Sequence, residues 1–288
     1  MSTEKLMRRL VRGPLHVTLL IIALIWMTPT VGTLISSFRS PQDVRATGWW
    51  SVLQQPLNFM QYTLENYRYI MTRGGLARSF LNSLIITVPS TLLPIFFASL
   101  AAYAFAWMRF PGRHGLFMLV IGLIVVPLQM TFIPLLRWIF EPLGLYGTFM
   151  GLWLAHTGYG LPFAIFLLRN FFGSLPKELL ESAFIDGASW WTAFWRLVLP
   201  LSVPALASLA IFQFLWVWND LLVALIYVGG KPDVAPITWQ IANLVGSRGQ
   251  DWHLLTAGAF ISIALPLTVF LLLQRYFVRG ILAGSVKG

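Results

Sequence analysis

The sequence holds six apolar runs, each near or above the roughly 20 residues that a helix needs to cross the hydrocarbon core of a bilayer. They extend from about Leu15 to Phe38, Ser79 to Met108, Leu116 to Phe140, Met150 to Phe172, Ser202 to Val228 and Leu254 to Val278. Lipid offers no hydrogen bonds, so each run has to satisfy its own backbone, and a helix does this within one segment. Composition agrees, with 57% of the 288 residues hydrophobic and only 10% charged, against roughly 25% charged in soluble domains. The predicted fold is an all-α integral membrane protein with six transmembrane helices. Prolines inside the runs (Pro89, Pro94, Pro127, Pro134, Pro162, Pro204 and Pro266) predict kinked helices packed around a cavity.

Charge sets the expected organisation. Residues 1–14 carry Lys5, Arg8, Arg9 and Arg12 against Glu4, as a signal peptide would. The apolar run that follows exceeds the usual core of about 7–15 residues and lacks a small-residue cleavage site, so it reads as a retained first helix. The expected plan is a cytoplasmic tail (1–14), a first transmembrane helix (15–38), an external loop (39–78), a five-helix core (79–278) and a cytoplasmic tail (279–288). Six spans return the C-terminus to the side of the N-terminus. About twelve basic residues then fall on that side and eight on the other, which has the sign of the positive-inside rule. The net charge of +10 is scattered at the ends of apolar runs, so it sets topology and implies no nucleic acid. With no cysteine, a disulfide framework and a Cys-ligated metal site are both excluded. Trp49 and Trp50, in the external loop, suit the interfacial aromatic belt better than ligand stacking.

The most polar interior stretch is Leu179 to Pro200, within a loop spanning 176–200. It reads as two short helices with a bend at Gly187, Pro176 in the first turn of one and Ser189 capping the other. Trp191, Phe194, Trp195 and Val198 recur at helical spacing and predict one apolar face. Pattern alone also allows an amphipathic connector on the membrane surface. The spacing Glu181-Ser182-Ala183, three residues, Gly187, nine residues, Leu197-Val198-Leu199-Pro200 resembles the E-A-A-x3-G-x9-I-x-L-P loop of ABC-importer permeases. Ser182 replaces the second Ala and Leu197 the Ile, both small changes in volume. In that family the loop docks into a cytoplasmic ATPase subunit. The resemblance implies that Glu181, Ala183, Asp186, Gly187, Ala188, Leu199 and Pro200 couple the chain to such a partner, with Glu181 the anchoring charge and Gly187 the bend.

Polar groups at membrane depth are the next candidates, because an unsatisfied one costs several kcal/mol there. Gln213, Trp216, Asn219 and Asp220 share one face of the fifth span by helical spacing. They suit a translocation path, in which Trp216 offers a flat apolar face to a sugar ring and the amides of Gln213 and Asn219 pair with hydroxyls. They suit equally a set of bonds between helices, with Asp220 near the outer water. Trp216-Val217-Trp218-Asn219-Asp220 also resembles the W-x-W-N-D/E signature of sugar permeases. In the fourth span His156 and Tyr159 lie among Gly158 and Gly160; the glycines favour close helix packing over a ligand site, and Tyr159 joins Gln213, Trp216 and Asn219 as the four candidates for the path. His156 heads no chain of Asp, Glu and His that would make a proton relay.

Three further segments carry the resemblance. Thr63-Leu64-Glu65-Asn66-Tyr67 and Asn82-Ser83-Leu84 resemble the entry to the core of carbohydrate-class permeases, and Gly280 to Gly288 resembles the tail of the second permease of maltose-type importers. No G-x-x-x-x-G-K-[ST] loop occurs, since Gly229-Gly230-Lys231-Pro232 lacks the spacing and the hydroxyl. The resemblance therefore implies an ABC importer type I permease core in a bacterial inner membrane, with no cofactor of its own. It implies ATP and Mg on a partner ATPase dimer, a second homologous permease, an extracytoplasmic solute-binding protein, surrounding membrane lipid, and alternating access for a sugar or oligosaccharide. A permease for glycerol phosphate or another polar solute stays open. An ion-coupled secondary transporter should show intramembrane carboxylates and an internal repeat, and neither is clear. A membrane enzyme would need an acid–base pair, and none stands out.

Overall fold

The structure, a computed structural model, describes residues 3–244 and 251–285. Residues 286–288, and the side chains of the basic residues near the two ends (Lys5, Arg8, Arg9, Arg12, Arg275, Arg279 and Lys287), lie outside the described part. Among the described residues the chain is helix and turn with no strand. The helices are α1 (Thr3–Ser37), α2 (Pro41–Ala46), α3 (Glu65–Thr72), α4 (Leu76–Trp107), α5 (Arg113–Val125), α6 (Leu128–Leu135), α7 (Phe149–Phe172), α8 (Lys177–Ile185), α9 (Trp190–Ala193), α10 (Leu199–Leu201), α11 (Val203–Trp218), α12 (Leu222–Tyr227), α13 (Ile237–Leu244) and α14 (Trp252–Ser285).

Four helices contain spans long and apolar enough to cross a membrane unbroken: Gly13–Ser37, Leu76–Trp107, Phe149–Phe172 and Trp252–Gln274. Two bent pairs complete six. Arg113–Val125 meets Leu128–Phe140 at 96°, and Trp190–Leu201 meets Val203–Trp218 at 73°. The first bend corrects the reading of 116–140 as a kinked but single helix. Val126, which precedes Pro127, takes the extended conformation (φ −68°, ψ 121°), into which the proline ring forces its neighbour. The run 202–228 is also broken. After Trp218, Asn219 turns its side-chain amide back onto the Leu215 carbonyl (2.7 Å), and the Asp220 carboxylate accepts from the Ala224 amide (3.2 Å), which opens α12. Short polar side chains compete with the helix for its own backbone groups and end it there.

The chain clusters into two compact units, one comprising the chain up to Leu76 with Ile241–Ile261, the other Ala77–Gln240 with the chain from Ser262. In the first, hydroxyls of Thr28, Thr33, Ser36 and Ser37 fold back on carbonyls of α1 and are thereby hidden from lipid. Arg39, only 3% exposed, holds the segment after α1. Its guanidinium donates to the carbonyls of Asp43, Thr47 and Gly48 at 3.1–3.2 Å and to the hydroxyls of Thr47 and Ser51. Asn66 clasps the same corner through the carbonyls of Ser37 and Arg39, both at 2.9 Å. Only the planar five-donor fork of arginine reaches this set. Arg39→Ala is expected to weaken the corner by about 1.5–3 kcal/mol and to raise the rate at which protease cuts residues 40–51 in membranes; an unchanged rate would count against it.

The second unit has two cores. One joins Ala98, Ala102 and Tyr103 of α4 to Ala164, Leu168 and Phe172 of α7, then to Leu180, Phe194, Val198 and Leu209. Alanines at this contact let backbones approach where lipid gives no hydrophobic drive. The other gathers Ile86, Phe132, Phe140, Leu152, Val217 and Tyr227. The segment 233–237 is pinned to the start of α4: Asn82 donates to the carbonyls of Asp233 and Ala235, Ser83 accepts from the Ile237 amide, and Arg78 pairs with Asp233 at 2.8 Å.

Candidate coupling loop and polar cavity

The bend at Gly187 is built from backbone hydrogen bonds. α8 ends with Gly187 in the left-handed region (φ +83°), while the Ala188 amide donates to the Ala183 carbonyl (2.9 Å) and the Gly187 amide to that of Phe184 (3.0 Å). This pair of bonds is a Schellman motif, which satisfies carbonyls that a helix end would otherwise leave open. Ala183 and Ala188 are joined by the longer-range of its two bonds, and both side chains are half-buried. Ser189 then caps the next helix by accepting from the Thr192 amide (3.1 Å). Pro176 stands at the N-cap of α8, one position before the first turn predicted for it.

From Trp190 the chain continues through a π turn (Phe194–Val198) and α10 to Leu201, and bends by 73° into α11 at the buried Ser202. Tyr103 of α4 ties this element down, donating its hydroxyl to the Trp190 carbonyl (3.0 Å) and packing against the Phe194 ring at 5.2 Å. The single apolar face predicted for Trp191, Phe194, Trp195 and Val198 is divided. Phe194 and Val198 are buried in the core, whereas Trp191 and Trp195, whose rings meet edge-on at 5.6 Å, are exposed. Glu181, Asp186, Gly187 and Pro200 are exposed, and Ala183, Ala188 and Leu199 half-buried. The loop thus presents carboxylates and indoles outward from a rigid frame.

Of the four residues assigned to a path, three come together. Tyr159, Gln213 and Trp216 line a cavity of about 220 Å³ with Leu123, Leu128 and Gly160. Tyr159 also lines an adjoining apolar cavity of about 420 Å³ between the bent third span and α7. A chain of hydroxyls fixes its position: Thr131 donates to Tyr159 (3.2 Å), Tyr159 and Tyr227 share a bond of 2.8 Å, and Tyr227 donates to the Phe132 carbonyl. Gln213 is buried and donates to the Ser90 carbonyl (3.2 Å). Its amide fills the space beside Gly160, where a Cβ would stand 2.7 Å from it. Gly158 faces open space on the 420 Å³ side, so one glycine serves packing and the other leaves room. None of the residues lining the smaller cavity is charged. Asn219 is not with them: it is exposed and bonded to its own helix. The shared face predicted for 213, 216, 219 and 220 fails because the helix stops at Trp218.

Asp220 instead faces His156. The imidazole Nε2 lies 4.0 Å from the carboxylate, the Trp216 ring meets the imidazole edge-on at 5.9 Å, and the two polar residues line an enclosed void of about 10 Å³ with Ser83 and Thr87. Both residues are visible in the sequence, on different spans; their pairing is not, since interhelical register leaves no trace in either run.

Buried polar groups that join spans, a cavity of hydroxyl, amide and indole, and a rigid bent loop at one end define a multi-pass membrane transport subunit. The chain belongs to the family of binding-protein-dependent transport system inner membrane components, whose model matches residues 79–283. It is 61% identical over 274 residues to the osmoprotective compounds uptake permease protein GgtD of Synechocystis sp., covering 95% of this chain and 92% of that one. It is 41% identical to the alpha-glucoside transport system permease protein AglG of Rhizobium meliloti, covering 96% and 98%. Its fold is similar to a chain of a bacterial ABC transporter involved in the import of the acidic polysaccharide alginate, with a TM-score of 0.74 at 20% identity over 96% of this chain and 99% of that one. The resemblance to ABC-importer permeases of the carbohydrate class therefore holds over nearly the whole chain.

Proposed function

We propose that the chain forms one half of the transmembrane pathway of an ATP-driven importer for a neutral, hydroxyl-rich solute of the sugar class. The observation that carries this reading is the cavity of Tyr159, Gln213 and Trp216, which offers hydroxyl, amide and an indole face without a charge. Such a solute satisfies both names borne by the relatives, one for osmoprotective compounds and one for alpha-glucosides. A glycerol phosphate would need a cation at the cavity, and no lining residue supplies one.

ATP and Mg act on a partner ATPase dimer; a second, homologous permease completes the pathway, and an extracytoplasmic binding protein delivers the solute. Both termini and the Gly187 loop face the cytoplasm. The element Trp190–Leu201 runs into α11 without an extended linker, so a displacement of the loop by the ATPase turns α11 and, with it, Gln213 and Trp216. The pathway then alternates between two open states whose balance nucleotide shifts.

The test is isolation of the tagged chain from its native membrane in mild detergent. A co-purifying ATPase and second permease, and solute uptake by the reconstituted assembly that requires ATP and is competed by alpha-glucosides, are the expected results. Uptake by the chain alone without ATP would overturn the proposal. Glu181 is exposed, and Glu181→Lys inverts its charge with little effect on the fold. It is expected to lower retention of the ATPase about fivefold or more; undiminished co-purification would remove Glu181 from the contact.

A further inference from the structure

The segment after α2 contains nineteen consecutive residues, Ala46 to Leu64, without an Asp, Glu, Lys, Arg or His. In a water-exposed loop this is unusual, and the side chains it projects are more so. Met60 is 96% exposed, Leu57 82% and Phe59 77%, with Trp50, Leu53 and Leu64 each above 60%.

Three observations identify what covers them. Trp49 fixes the position of the segment along α1. Its ring lies on α1 at Gly32, where a Cβ would be 2.6 Å from the indole nitrogen. Gly32 is five residues short of the end of α1 at Ser37, about 7.5 Å along the axis, which falls in the range of about 5–10 Å to which interfacial segments bury their apolar side. The backbone satisfies itself turn by turn, with amides of Ser51, Gln55, Asn58, Gln61 and Tyr62 each donating to a carbonyl three residues back; a segment entering the headgroup region needs this. The polar side chains of the segment are uncharged: the amides of Gln54, Gln55, Asn58 and Gln61 and the hydroxyls of Thr47, Ser51, Tyr62 and Thr63.

We propose that residues 46–64 form an in-plane anchor that inserts Trp50, Leu53, Leu57, Phe59 and Met60 into the lipid surface beside the C-terminal end of α1. The anchor holds the Arg39 corner at a fixed height on the bilayer, so that the segment is set by lipid on one side and by α1 on the other.

The absence of native cysteine makes the test direct. Single cysteines at Leu57 and Met60 carry a nitroxide in the full chain, reconstituted in vesicles of phosphatidylethanolamine and phosphatidylglycerol. A third, at the exposed Arg68, serves as the aqueous reference. The ratio of oxygen to nickel-chelate accessibility is expected to be several-fold higher at 57 and 60 than at 68. Nickel access at 57 and 60 equal to that at 68 would overturn the anchor in favour of a solvated loop. Low access to both reagents would overturn it in favour of a protein partner on the patch. Labels at Leu53 and Leu64 repeat the reading if either first variant fails to insert.

Discussion

Replacing Gly187 with Val is expected to abolish ATP-driven uptake by the assembled importer while the chain still reaches the membrane at its normal level. The reason is conformational. Gly187 has φ +83°, where an L-residue with a branched Cβ pays about 1–3 kcal/mol, and beyond its two chain neighbours nothing lies within 4 Å of where a Cβ would stand. Steric crowding is therefore not the issue. The cost is relieved by moving Gly187 out of the left-handed region, which breaks the bonds from the Gly187 and Ala188 amides and changes the angle at which α9 leaves α8. The frame that presents Glu181 and Asp186 on one side and leads into α11 on the other is then lost. A graded series follows from this cause. Asn tolerates the left-handed region through its short polar side chain, so Gly187→Asn should keep most uptake and Gly187→Ala should fall between. Uptake in the Val variant at the normal rate, or a loss in the Asn variant as deep as in the Val variant, would show that the backbone conformation at 187 is not what couples the loop.

The bend was legible in the sequence because it depends on local chemistry: a glycine at the exit of one helix and a serine at the entry of the next. The resemblance to the permease loop also marked Ala183 and Ala188, whose carbonyl and amide form the two ends of one Schellman bond, a feature of the backbone. Proline was a weaker guide. Pro89 and Pro94 lie within the continuous helix α4, whereas Pro127 stands at a 96° break. The difference is packing. α4 is held through its prolines by buried neighbours such as Ser90, Thr91 and Ala98, while α5, which leads to Pro127, buries no residue. Periodicity failed at 219 for a related reason: a helical face can be extrapolated only as far as the helix persists, and Asn219 and Asp220 end it. The contact of His156 with Asp220 depends on how α7 and α11 register against each other, which neither run encodes by itself.

The two tryptophans of the run Trp216-Val217-Trp218 are expected to respond in opposite ways, and this separates the fold from the path. Trp218 is 1% exposed, donates its indole N–H to the Ser262 carbonyl (3.0 Å), stacks on Phe214 and meets Phe80 edge-on at 5.4 Å. Trp218→Ala removes the largest fully buried side chain, opens a void and leaves the Ser262 carbonyl without its donor, a loss of about 3–5 kcal/mol. Its expected result is a chain that accumulates poorly and unfolds at a markedly lower temperature in detergent. Trp216, 37% exposed, forms a wall of the 220 Å³ cavity, so Trp216→Ala should accumulate close to normally. Its effect should fall on transport. Loss of an aromatic face worth about 0.5–1.5 kcal/mol to a bound ring raises the half-saturating solute concentration about two- to tenfold, and Trp216→Phe, which keeps a smaller face, should recover part of it. A Trp216→Ala chain as unstable as Trp218→Ala would assign Trp216 to the fold. A stable variant with unchanged uptake would place the solute elsewhere, and the adjoining cavity bounded by Tyr159 would become the part of the pathway to vary next.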